Sequence, residues 1–222
     1  MRFNSASPQW DTLGEQILYV LRIKIINGLY TPGTRLSENQ IANEFDTSRS
    51  PVREALKILA NEGLIRLERM GAIVVGLDSK NLKELYEVRY LIESYALKRL
   101  ANDGNTNMIS NLDNITDKME IANKHKNFEE FAHLDFLFHE TIINGINHNR
   151  ISHLWNSIKH IVLAVLLVTT EKRFEFNKVE INPLIQRHRL VMDALRSGSA
   201  EEIERVIEEH FLDSINSIDK LL

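Results

Sequence analysis

The sequence predicts a mostly α-helical protein in two parts: a head of short helices closed by a small hairpin, and an all-α tail of six helices. Three observations carry this. Short segments of helical period, broken by Gly, Pro and Asp-Thr-Ser turns, fill residues 1–77. Two short runs of β-branched and apolar residues close that stretch. From Asp78 to residue 222 there follow six long amphipathic segments without a strand signal.

The head reads element by element. Thr12–Asn27 puts Leu13, Ile17, Val20 and Leu21 on one helical stripe, and Gly28 stops it. Tyr30-Thr31-Pro32-Gly33 is a turn, because Pro fixes one dihedral and Gly tolerates the next. Ser37-Glu38-Asn39-Gln40 matches a capping box and opens a short helix whose apolar residues are Ile41, Ala42 and Phe45. After the tight turn Asp46-Thr47-Ser48 comes RSPVREALKILANEG, with Pro51 tolerated in the first turn and Gly63 ending the helix. Leu64–Leu67 and Ala72–Leu77, separated by Glu68–Gly71, form a hairpin. Helix, helix, tight turn, helix, hairpin is the plan of a winged helix-turn-helix. On its third helix Val52, Ala55, Leu56 and Leu59 cluster on one side. Arg49, Arg53 and Lys57, each four apart, form a basic edge turned away from that cluster. Such an edge can lie along a major groove, where Arg reads guanine or clamps phosphate.

Composition sets the bounds. With 43% apolar and 26% charged residues the chain is an ordinary globular protein, long enough to bury a core in each part. The absence of cysteine excludes a disulfide framework and thiolate chemistry, and fits a reducing cytoplasm. The polar stretch MRFNSASPQWDTLGEQ has no apolar signal core. The longest apolar run, Ile161–Val168, is less than half a membrane span and predicts a buried helix, so no membrane partner is expected. The net charge of −4 is unevenly spread. Residues 1–77 hold nine Lys and Arg against eight Asp and Glu, and the acidic excess lies in the tail.

The tail helices are expected near 79–102, 106–125, 128–146, 149–171, 180–197 and 199–221. Asp78, Ser79 or Asn81 can cap the first, Pro183 suits an early turn of the fifth, and Gly104, Gly145 and Ser197-Gly198-Ser199 separate segments. The histidines are where chemistry is to be sought. Asp135 and His139 lie four apart in EFAHLDFLFHETII, one above the other on a face flanked by Phe131, Leu134, Phe138 and Ile142. His188 and His210 sit on two further helices. Converging, the four would be one carboxylate and three imidazoles, a set suited to a first-row divalent metal such as Zn²⁺. Spacing alone equally allows a hydrogen-bonded Asp135–His139 pair with no ion.

The stretch SENQIANEFDTSRSPVREALKILANEGLIRLERMGAIVV closely resembles the DNA-binding domain of GntR-type transcriptional regulators. Its most specific string is Ser48-Arg49-Ser50-Pro51-Val52-Arg53-Glu54-Ala55-Leu56, followed by Gly63-Leu64-Ile65 and the wing glycine Gly71. The tail resembles the helical FCD-type ligand-binding domain of the FadR subfamily, through Arg89 and Glu93, Asp135-x-x-Phe138-His139, His188 and His210. Six tail helices rather than seven are similar to the VanR-like branch. The turn Ile146-Asn147-His148-Asn149-Arg150 departs from the Gly-Asn often found there.

The resemblance implies roles by position. Arg49 and Arg53 would be the principal base and phosphate contacts, with Lys57 beside them and Asn39 and Thr47 in support. The wing at Arg69–Gly71 would enter the minor groove. Asp135, His139, His188 and His210 would hold the metal, zinc first and nickel, manganese or iron as substitutes. Arg89 would meet the carboxylate of a small organic acid effector. The expectation is a homodimeric, ligand-responsive repressor of a double-stranded palindromic DNA operator. The alternatives are a metal-dependent hydrolase tail fused to a DNA-binding head, and a DNA-binding dimer with no effector.

Overall fold

The computed structural model describes residues 12–103, 106–176 and 181–218. The expected break at Gly104 lies outside them. The chain divides between Leu77 and Asp78 into two compact units, each with its own core.

The first unit runs α1 (Leu13–Ile26), β1 (Arg35–Ser37), α2 (Glu38–Glu44), α3 (Arg49–Asn61), β2 (Ile65–Glu68) and β3 (Gly71–Val74). A capping box does open a helix here, but at α1. There Thr12 accepts from the Glu15 amide at 3.2 Å and the Glu15 carboxylate accepts from the Thr12 amide at 3.2 Å. At α2 the expected box is absent: Ser37 stands at the N-cap without a side-chain bond. The reason is a strand that the sequence reading missed. Ser37 ends β1, pairs with Gly71, and completes a three-stranded sheet in the order β1-β3-β2. Gly71 makes that sheet possible. At φ 152°, an added Cβ would stand 2.0 Å from the Leu36 carbonyl oxygen, so only glycine lets β3 approach β1.

Helix α1 is buried on more than one stripe. Ile17, Leu21, Ile23, Ile25 and Ile26 are all inside, whereas Leu13 is 39% exposed and lies outside the stripe expected for it. Arg22 is buried too, and its guanidinium forks onto Glu62 at the end of α3, at 2.6 and 2.9 Å. That bidentate pair fixes α1 across α3, whose inner face is Val52, Ala55, Leu56 and Leu59 as expected.

The second unit consists, among the described residues, of α4 (Ser79–Asp103), α5 (Thr106–Lys124), α6 (Phe128–Gly145), α7 (Asn149–Phe176), α8 (Asn182–Ser197) and α9 (Ala200–Ile218). Their starts follow local chemistry. Asp78 accepts from the Asn81 amide at 2.7 Å, Asn127 from Glu130 and Ser199 from Glu202, each at 3.2 Å, and Pro183 sits in the first turn of α8. Helix α6 ends at the expected break, Gly145, although the left-handed turn falls on Asn147 at φ 48°. Gly145 also serves packing: a Cβ there would meet Met108 of α5 at 2.6 Å. Helix α6 is the centre of the bundle, packed by α4, α5 and α7 through Phe131, Phe138 and Ile142. In α7 the apolar run Ile161–Val168 is buried apart from Leu163, which is half-buried.

Candidate functional site: the basic helix and the histidine cavity

In the first unit, α2 and α3 are joined by a turn whose Asp46 takes φ 48°, and the Thr47 amide bonds the Ala42 carbonyl at 2.9 Å. This turn sets the helices at a fixed angle and leaves one side of α3 in water. Arg49, Arg53 and Lys57 all stand on that exposed side, with Asn39 exposed on α2, Thr47 half-buried, and Arg69 exposed between β2 and β3. They are not equally free. Arg53 Nε donates to Glu38 Oε2 at 2.8 Å, and Glu38 is itself buried at the start of α2. The bond uses Nε, and the Arg53 side chain remains 56% exposed. Lys57 pairs with Glu54 at 2.8 Å, both in water, and Arg49 has no partner among the described residues. Glu38 was not singled out by sequence: it tethers across 15 residues and two helices, which no local spacing signals. Gly71 is buried and shapes the sheet, so it positions the wing.

In the second unit α6, α8 and α9 bring His139, His188 and His210 together, with one ring nitrogen of each within 4.8 Å of the others and all three rings buried. Asp135 joins two of them. Its Oδ1 lies 2.9 Å from His188 Nε2 and 3.3 Å from His139 Nε2. The far side of each ring defines its tautomer. His188 Nδ1 is 2.8 Å from the Leu184 carbonyl, which can only accept, so Nδ1 carries the hydrogen. His139 Nδ1 is 2.5 Å from Glu93 Oε2 and donates to it. Glu93 in turn accepts from Arg89 Nε at 3.0 Å. Arg89 is thus committed to Glu93, over the rings of Tyr86 and Phe211, while still reaching the cavity. Glu93 is the one polar member of this set that carried no assigned task in the sequence. The i, i+4 step from Arg89 was the available signal.

Electrostatics follow from this layout. Burial alone would raise the Asp135 carboxyl, but hydrogen bonds from His139 and His188 hold it well below the usual carboxylate range. Burial would lower His139, but the Glu93 and Asp135 carboxylates together outweigh it, so His139 is raised. His210 has no such support: burial and then the neighbouring His188 and His139 rings push it well below the ordinary imidazole range. It is therefore neutral near pH 7, and its buried Nδ1 has no hydrogen-bond partner.

These residues fit a bound cation. Both Nδ1 hydrogens point away from the centre, so in the neutral rings two Nε2 lone pairs face one carboxylate oxygen. That is repulsive unless a proton or a cation lies among them. With His210 the set is three imidazoles and a carboxylate, each of the first two rings oriented by a hydrogen-bonded partner behind it. Beside them is a cavity of about 20 Å³ bordered by Arg89, Asp135, His139, His210 and, from α7, Thr169, Thr170 and Arg173.

A winged helix-turn-helix with an exposed basic helix, joined to an all-helical domain with a buried polar cavity, defines a DNA-binding transcriptional regulator. The chain belongs to the GntR family. Residues 13–75 match "Bacterial regulatory proteins, gntR family" and residues 84–213 match the FCD domain. It is 38% identical over 208 residues to the gluconate operon transcriptional repressor of Bacillus subtilis (strain 168), covering 94% of this chain and 86% of that one. Its fold is similar to that of E. coli McbR/YncC, with a TM-score of 0.73 at 21% identity over 95% of this chain and 99% of the other. It is also similar to a putative GntR transcriptional regulator of Rhodococcus sp. RHA1, with a TM-score of 0.69 at 25% identity over 94% and 98% of the two chains. The gntR family model and the gluconate operon repressor describe transcriptional regulators, not enzymes, which sets aside a hydrolase tail.

Proposed function

We propose that the protein is a cytoplasmic, homodimeric repressor that reads a palindromic operator with its head and is released by a small organic acid bound in its tail. The two units serve as DNA-binding and effector-binding domains. Arg49, Arg53 and Lys57 face the major groove, with Asn39 and Thr47 on flanking phosphates and Arg69 of the wing toward the minor groove. Dimerisation uses the tail. Val88, Leu91 and Tyr95 form an exposed apolar stripe on one face of α4, where a second copy would cover it.

Asp135, His139, His188 and His210 hold a divalent metal, zinc first, with nickel, manganese or iron as substitutes. When bound, the ion supplies a Lewis-acid contact for a ligand oxygen. Glu93 and the Leu184 carbonyl keep His139 and His188 in the tautomers that direct Nε2 to the centre. The single observation that carries this reading is the orphaned Nδ1 of buried His210, beside two imidazoles already turned inward.

The effector class we infer is a sugar acid, on the strength of the 38% identity to a gluconate operon repressor. A cavity of about 20 Å³ has room for little more than one water-sized particle, so such an acid must part the walls to enter. Binding that requires a more open bundle favours that state, and a head arrangement coupled to it loses operator affinity. The test is operator binding by fluorescence anisotropy, using the DNA upstream of the chain's own operon, with gluconate titrated in. Elemental analysis of untagged protein, wild type against His139→Ala, runs beside it. Release by gluconate and a metal lost in the variant support the reading. Undiminished DNA binding in saturating gluconate and other aldonates, or equally metal-free samples, defeat it.

A further inference from the structure

Two arginines reach the tail cavity, and they differ in what balances their charge. Arg89 holds Glu93. Arg173, near the end of α7, is only 7% exposed and lines the same cavity, yet it has no hydrogen bond or ion pair among the described residues. Asp135, the carboxylate whose charge acts on Arg173, turns Oδ1 to His139 and His188, and the like charge of Arg187 opposes it. A buried, unpaired guanidinium is costly, and an anionic ligand would supply the missing partner. One turn earlier on the same face of α7 is Thr170, 2% exposed and also lining the cavity. Its hydroxyl has no partner among the described residues. The hydroxyls of Thr169 and Ser214, by contrast, already donate to the Val165 and His210 carbonyls at 2.8 Å.

We propose that Arg173 and Thr170 are the ligand's anion subsite, Arg173 taking the carboxylate of a hydroxy acid and Thr170 a neighbouring hydroxyl. This rests on the reading of the cavity as the effector site and moves the carboxylate contact from Arg89 to α7. The chemistry is specific: a fork of N–H donors for two carboxylate oxygens, and a hydroxyl that donates or accepts one turn away. Because α7 carries both groups, ligand capture pulls on one helix.

The experiment is a thermal-shift titration of the full-length untagged protein with gluconate, with glucitol as the same polyol lacking a carboxylate, and with acetate as a bare carboxylate. Wild type should be stabilised by gluconate, more weakly by acetate, and not by glucitol. Arg173→Met should raise the ligand-free Tm by about 2–4 °C, since it removes an uncompensated charge. It should also weaken gluconate and acetate by about tenfold or more. Arg173→Lys should keep part of both responses, and Thr170→Val should lose the advantage of gluconate over acetate.

Gluconate binding that survives Arg173→Met overturns the subsite and leaves the sugar-acid reading standing. Acetate binding that depends on Arg173, with gluconate no better, keeps the subsite and sinks the sugar acid. A lower ligand-free Tm in both Arg173 variants means the guanidinium is structural, against the proposal. Wild type indifferent to every carboxylate overturns both readings.

Discussion

Arg53 of α3 and Arg89 of α4 each hold a glutamate through Nε, at 2.8 and 3.0 Å, yet the first side chain is 56% exposed and the second 2%. The difference decides what each pair can do. In water the Arg53–Glu38 attraction is screened and small, so Glu38 can aim the guanidinium and still give it up to a phosphate. Under the bundle surface the Arg89–Glu93 pair is strongly coupled, and His139 is added to it, so neither partner can leave without stranding a charge. The basic edge of α3 keeps its arginines available, whereas buried carboxylates hold Arg22 in the head and Arg89 in the tail in place.

The widest gap between the two pairs should appear on removing each glutamate. Glu93→Ala leaves Arg89 buried without its partner and should cost the tail about 3–5 kcal/mol. Glu38→Ala, with its arginine mostly in solvent, should cost the head about 0–1 kcal/mol. Urea unfolding in chelator checks this, with the buried Trp155 reporting on the tail and far-UV circular dichroism following the whole chain. Losses of equal size would erase the distinction. Next is Gly71→Ala, where the backbone at φ 152° and the Leu36 carbonyl leave no room for a Cβ. It should destabilise the sheet by about 2 kcal/mol, read as faster amide exchange in β1 and β3 and none in the tail. Arg53→Ala comes third. Operator affinity should fall by about 1–3 kcal/mol while Tm stays within a degree or two of wild type, because the lost bond lies half in water. A variant that loses Tm but keeps the operator would make Arg53 a structural residue like Arg89.

Much of this contrast is legible in the sequence, and the rest is not, for definite reasons. Helix period and breakers place the tail helices closely, because 16 to 28 residues of amphipathic pattern outweigh any single misread position. The misreadings fall where one residue serves two elements. Ser37 has the composition of a capping residue, yet it closes a three-residue strand that only its partner Gly71 reveals. Asp135 and His139 share a helix face, so their pairing follows from spacing. That His188 and His210 meet them is a fact about three helices, which spacing allows and the resemblance favours. Arg173 could not be found by pattern at all. What marks it is the lack of a partner, which exists only once the bundle around it is built.

The smallest effect tests the exposed end of the comparison. Lys57 is 60% exposed and its partner Glu54 65%, so their bond at 2.8 Å competes with water at every moment and adds little stability. If the basic edge of α3 works by displacing such weak internal pairs, Lys57 should behave as a phosphate contact with no sequence preference. Lys57→Ala should then weaken operator and scrambled DNA alike. It should also lower the slope of log K against log salt by about one. Specific loss on the operator alone, with an unchanged slope, would instead make Lys57 a base reader. In that case Glu54 would be a competitor that holds the lysine off DNA.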